Sequence, residues 1–207
     1  KKKKIKDFLF EKKILNKITH QRLIFFSTSK VYPNLINCDE QIKPCPQNFY
    51  AENKLNAEKL LKRENDKILI LRLSNIFETK IQNKDTFLGI MHDNFFKKEK
   101  IEFDISTNSV RDFLSMNSLI TFIKKIEKKK EICGTFNIGS QKGYKIKDII
   151  KYYFGEKLIS STEIIEKKKI KSQTLCIKKI KKMIDLSNFD FHQETKLQLK
   201  KCKKYFF

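Results

Sequence analysis

At 207 residues and 40% hydrophobic content, the chain is long enough to bury a core and does not read as a disordered tail. Its formal charge of +22 admits a nucleic-acid or anionic-membrane partner, but lysines in short runs along the chain outnumber only four arginines, and no RNP-like, zinc-finger or KH-like pattern accompanies them. Five scattered cysteines without a CxxC pair, three distant histidines and no apolar run of membrane-spanning length speak against a disulfide framework, a metal site and a membrane span.

A soluble, cytoplasmic protein with reduced thiols is therefore expected, since the Lys-rich start also lacks the apolar core of a secretory signal. In chain order, Leu23-Ile24-Phe25-Phe26 is a continuous apolar run of the kind found in parallel strands covered on both faces, and it ends in Ser27-Thr28-Ser29. The prolines between Pro33 and Pro46 predict a loop. Phe49 to about Glu64 predicts a helix capped by Asn48, and Lys67 to Leu73 predicts a second buried strand before Ser74-Asn75. Strand, loop, helix and strand in this order make a crossover unit.

Residues 76–108 are mixed, with a helix expected near Thr86 to Lys98 and a short strand at Ile101 to Phe103. Val110 to Leu114 leads into a helix over Asn117 to Lys129, and Gly134 to Gly139 reads as a further strand. A helix over Ile146 to Phe154 ends at Gly155, and the Lys-rich remainder predicts short helices at Ile177 to Ile184 and Glu194 to Tyr205.

Two strand ends, at Thr28 and Asn75, fall where open parallel sheets place their ligands. Tyr50 and Lys54 lie four apart on one helix and share a face. An ammonium beside a phenol favours the phenolate, so this pair is expected to bring Tyr50 toward neutrality as an acid/base group, with Thr28 holding the oxygen whose proton is exchanged. The spacing alone is weak, because Tyr153 and Lys157 repeat it without a hydroxyl-bearing strand end before them. Singly, each position also has an ordinary reading: Arg111-Asp112 as a local ion pair, Asn75 as a turn cap, Ser27 as a partner for a strand-end carbonyl.

The ordered set STSKVYP, YAENKLNAEKLL, LRLSNIF, VRDFLSMNSLI and GTFNIGS resembles the NAD-dependent epimerase/dehydratase family of extended short-chain dehydrogenases/reductases, from about residue 20 to residue 150. The resemblance implies an α/β fold, the C-terminal part of a Rossmann-type parallel sheet with a smaller substrate-binding α/β domain. Residues 1–79 would form the partial NAD-binding region and 80–207 mainly the region gripping a nucleoside-diphosphate sugar, with 132–140 returning to the sheet. It implies Tyr50 as the acid/base, Lys54 on the nicotinamide ribose, Ser27 beside the cofactor, Thr28 and Asn75 on the sugar, and Arg111 on the diphosphate. An arginine suits that last task because its planar fork presents paired donors to phosphate oxygens. NAD is the implied cofactor, with NADP open, and a homodimer is the implied assembly.

Three departures shape the expectation. No GxxGxxG turn is present, the first glycine being Gly89, so the chain is expected to begin in the helix before the first strand, to lack half of the cofactor region and to be poorly soluble through an exposed sheet edge. Pro33, Glu78-Thr79 and Ser109 replace residues common at their loops. Ser29-Lys30 stands where the dehydratases carry Asp-Glu, which favours epimerisation or 4-keto reduction over loss of water. The alternatives are a non-catalytic remnant of the same family and a basic nucleic-acid-binding protein.

Overall fold

The computed structural model describes residues 22–79, 86–97, 100–155 and 163–202, so that Lys1 to Lys4, His20 and Lys157 lie outside the described residues. Its elements in chain order are β1 (Ile24–Thr28), α1 (Phe49–Glu64), β2 (Leu69–Leu73), β3 (Asn75–Phe77), α2 (Phe87–Phe96), β4 (Ile101–Phe103), β5 (Val110–Ser115) and α3 (Met116–Glu127). There follow β6 (Gly134–Ile138), β7 (Gly143–Lys145), α4 (Ile146–Phe154), β8 (Ile164–Glu166), α5 (Lys178–Met183) and α6 (Phe191–Cys202).

The apolar runs form a parallel sheet in the order β1-β2-β6, in register from Ile24↔Leu69 and Leu69↔Gly134 to Thr28↔Leu73 and Leu73↔Ile138. Side chains alternate along β2, which divides its residues between two layers. Leu69 and Leu71 join the main core with Phe122 and Ile126 of α3, Ile180 of α5 and Phe191 of α6. Ile70 turns the other way and packs with Leu61 of α1. Both faces of the central strand are thus covered, as its continuous hydrophobicity predicts.

Helix α1 starts where Asn48 accepts a hydrogen bond from Ala51 N–H at 2.9 Å, and its last turn carries Lys62 and Arg63 at the negative end of the helix dipole. Helix α3 is capped in the same way by Ser115, whose Oγ accepts from Ser118 N–H at 3.1 Å, and it buries Leu119, Phe122 and Ile126 on one stripe.

At Ser74 the chain leaves the first sheet. Asn75 opens β3, which runs parallel to β5, and β5 runs antiparallel to β7, giving a second sheet in the order β3-β5-β7. β4 and β8 form a separate parallel pair. The hydroxyls of Ser27 and Thr28 belong to the last two residues of β1 itself, because the parallel pairing with β2 continues to Thr28↔Leu73.

Asp112 of β5 is buried and ties the second sheet to the turn that follows β6 and to the segment at Leu175. Its carboxylate accepts from Ser140 N–H at 2.9 Å, Ser140 Oγ–H at 2.7 Å and Leu175 N–H at 3.3 Å. A Cβ added at Gly139 would collide with Asp112 Oδ2 and stand 3.1 Å from its Cγ. The carboxylate is held by its donors and cannot swing aside, so Gly139→Ala is expected to cost about 1–3 kcal/mol in urea unfolding. An unchanged midpoint and slope would contradict that packing.

Burial pushes the Asp112 carboxyl up to about 6, the Ser140 and Leu175 donors only partly opposing it. The folded chain therefore holds this proton more tightly than the unfolded chain does. The group's contribution to stability is greatest below the ordinary carboxylate range and falls as pH rises from there to about 6. Unfolding midpoints of the wild type and Asp112→Asn, measured between these limits, should show that component of the slope only in the wild type.

Candidate active site

The C-terminal ends of β1 and β2 open onto a cleft of about 490 Å³ lined by Thr28, Lys30, Asn48, Tyr50, Asn75 and the apolar residues Ile76, Phe77, Phe87, Leu88 and Phe113, with Thr86. It lies between the first sheet and the second, because β3 and β5 form its far wall. Of the residues singled out from the sequence, Thr28, Tyr50 and Asn75 line it together.

Thr28 is 8% exposed, and its Oγ1 accepts from Lys30 N–H at 3.3 Å, which caps the short 3-10 turn Ser29–Val31. Tyr50, in the first turn of α1, is 52% exposed and presents its phenol to the cleft. The Nδ2 of Asn75 donates to the Asp112 carbonyl at 2.8 Å, fixing the amide at the start of β3.

Lys54 stands one turn after Tyr50 but does not act on it as the spacing predicts. Its Nζ donates to the Phe26 carbonyl at 3.0 Å and lies 4.8 Å from the Phe25 ring centroid. Burial raises the Tyr50 phenol above its ordinary value, opposite to the expected lowering. A shared helical face brings two residues near each other without aiming one at the other.

Ser27 and Arg111 do not line the cleft. Alternation along β1 turns Ser27 to the face opposite Thr28, where its Oγ donates to Glu58 Oε1 at 2.5 Å. Along β5 the same alternation separates Arg111 from Asp112, so the local ion pair that was its ordinary alternative reading does not form: Asp112 turns to Ser140 and Leu175. Arg111 is half-buried, its Nη1 has no hydrogen-bond partner, and burial pulls its pKa down against the opposing charge of Asp104.

The pattern of apolar runs does not disclose the polar row beneath the cleft. Ser27, Arg72 and Asn137 are in register across β1, β2 and β6. Arg72 Nη2 meets Glu58 Oε2 of α1 at 2.6 Å and its Nε donates to Oε1 at 3.0 Å. The Tyr32 ring lies 4.7 Å from the guanidinium, and its hydroxyl donates to Asn137 Oδ1 at 2.9 Å. Burial of Tyr32 raises its phenol to about 12 despite Arg72. The available signals were Arg72 within an apolar strand and Glu58 one turn beyond Lys54 on the same helix. Among the described residues no cluster of His, Cys, Asp and Glu is suited to a metal ion, and no helix is long and apolar enough to cross a membrane.

The model of one family, described as the RmlD substrate binding domain, matches residues 15–172. A search of curated proteins by sequence gives no significant match. Among solved structures, UDP-glucuronic acid 4-epimerase from Bacillus cereus, in complex with UDP-glucuronic acid and NAD, is similar with a TM-score of 0.78 at 22% identity, over 96% of this chain and 67% of that one. The dTDP-glucose 4,6-dehydratase from Bacillus anthracis str. Ames, in complex with NAD, has a TM-score of 0.74 at 17% identity, over 99% and 70%. UDP-N-acetylglucosamine 4-epimerase from Bacillus cereus has a TM-score of 0.71 at 16% identity, over 96% and 71%. At these identities the likeness is one of fold, and it bears out the Rossmann-type α/β architecture expected from the motifs.

Proposed function

The chain belongs to the RmlD substrate-binding-domain family, and from that premise we propose that it acts on a nucleoside-diphosphate sugar as an NAD-dependent epimerase or 4-keto reductase. The observation that carries this reading is the convergence of Thr28, Tyr50 and Asn75 on one cleft beyond the strand ends of a parallel sheet. Tyr50 takes the proton of a sugar hydroxyl as phenolate and returns it as phenol. The Thr28 hydroxyl holds the same oxygen, and the Asn75 amide, anchored through Nδ2, faces the sugar from the second sheet.

The donor set fits the nicotinamide-ribose end of NAD, since a half-exposed phenol lines the cleft and the ammonium one helical turn later is held at the Phe26 carbonyl of β1. Tyr50 and Lys54 would hold it there, whereas Ser27, turned to Glu58 on the other face of β1, would not reach it. When bound, NAD supplies the acceptor and donor of hydride. The unpartnered Nη1 of half-buried Arg111 supports an anion-binding role, and the diphosphate is the anion assigned to it.

Ser29 and Lys30 follow Thr28 with no carboxylate between them, leaving no acid at these positions to expel water. Epimerisation or reduction is therefore preferred to dehydration. The test is incubation with NAD(H) and UDP- or dTDP-linked hexoses, followed by NMR of the sugar. Inversion or reduction at carbon 4 is expected; absence of both binding and conversion across the set would overturn the assignment.

A further inference from the structure

We propose that the sugar taken by this cleft is a hexuronate and that Lys30 reads its carboxylate. The inference rests on the nucleotide-sugar reading above and narrows its substrate class. Lys30 is held by its backbone: its N–H donates to Thr28 Oγ1 at 3.3 Å, and its carbonyl accepts from Gln47 N–H at 3.2 Å. Its neighbours Ser29 and Val31 are buried, so the turn is fixed and the exposed Lys30 side chain alone is free to adjust.

The remaining lining is neutral, polar at Thr28, Asn48, Tyr50 and Asn75 and apolar along β3, α2 and β5. Among the described residues, the Lys30 ammonium has neither a hydrogen-bond nor an ion-pair partner. A sugar hydroxyl offers it an ordinary hydrogen bond, whereas a carboxylate offers a charge-assisted one of roughly twice the strength.

The location separates the sugar's charge from that of the diphosphate. Lys30 is two residues from Thr28, the hydroxyl assigned to the reacting oxygen, whereas Arg111, the residue assigned to the diphosphate, lies outside the cleft lining. A carboxylate at carbon 6 of a hexose is close enough to the reacting ring to share the cleft with Thr28. A second cation beside the sugar is matched by an anion on the sugar itself.

The experiment is calorimetric titration of the chain, and of its Lys30→Met and Lys30→Glu variants, with UDP-glucuronic acid and UDP-glucose at one fixed ionic strength. The ratio of affinities is the readout. The wild type is expected to favour the uronate about tenfold, Lys30→Met to bring the ratio near one, and Lys30→Glu to invert it. Equal affinities in the wild type, or a preference that survives Lys30→Met, would overturn the inference while leaving the nucleotide-sugar reading intact. Failure to bind either compound or UDP would remove both. Inorganic phosphate at matching concentration should not displace the uronate, and displacement that depends on Lys30 would assign the residue to phosphate and overturn the uronate claim.

Discussion

Tyr50→Phe is expected to lower turnover of a nucleotide sugar by about 10²- to 10⁴-fold, the usual contribution of a positioned acid/base group. The ring is 52% exposed at the cleft and would keep its place in α1 without the hydroxyl, so the loss should fall on kcat with little change in KM. Burial holds the phenol above its ordinary value, and raising the pKa of an acid moves its ionisation to higher pH. In the direction that removes a sugar proton, the wild-type rate should therefore climb with pH on the alkaline side, and Tyr50→Phe should lose that limb. The measurement is initial rate against pH for both proteins. Normal turnover in the variant would remove Tyr50 from the chemistry.

Glu58→Ala is expected to destabilise the fold by about 3–5 kcal/mol, because it strands a buried guanidinium. Arg72 is 4% exposed and Glu58 1%. Burial by itself disfavours the charged guanidinium, but the hydrogen bonds and charge of Glu58 more than offset it, and the Arg72 pKa ends above its ordinary value. With Glu58 gone, nothing on α1 replaces the contacts at 2.6 and 3.0 Å, and Ser27 Oγ loses its acceptor as well. The loss is a large part of the ~5–15 kcal/mol by which a domain exceeds its unfolded state.

The paired change Glu58→Leu with Arg72→Met should recover most of it, since a buried ion pair replaced whole by apolar residues is often neutral or stabilising. Denaturant unfolding of the single and double variants checks both statements. A Glu58→Ala loss below about 1 kcal/mol would show that the pair contributes no more than an exposed one. Because Glu58 sits on the helix that carries Tyr50 and Lys54, the pair also pins the candidate site to β1 and β2.

Elements were legible where their pattern is long and local. The runs before Thr28 and Leu73 mark strands because four or more apolar residues in succession suit burial on both faces, and Phe49 to Glu64 marks a helix through its Asn48 cap and strong helix formers. β3 was not legible, since it follows β2 after a single residue and local pattern does not show that the chain changes sheet there, and β5 was obscured by Arg111-Asp112 within it.

The sequence by itself determined the order of the strand and helix motifs, the placing of Thr28 at a strand end, and the common helical face of Tyr50 and Lys54. Each of these depends on backbone repeats spanning a few residues. Tertiary structure alone decided that Asn75 crosses to a second sheet, that Ser27 turns to Glu58, and that Arg72 completes that pair. It also decided that Lys54 reaches the Phe26 carbonyl and that Lys30 is the charged residue of the cleft. These depend on strand register and on which helix covers which face, and contacts between segments far apart in the chain set both.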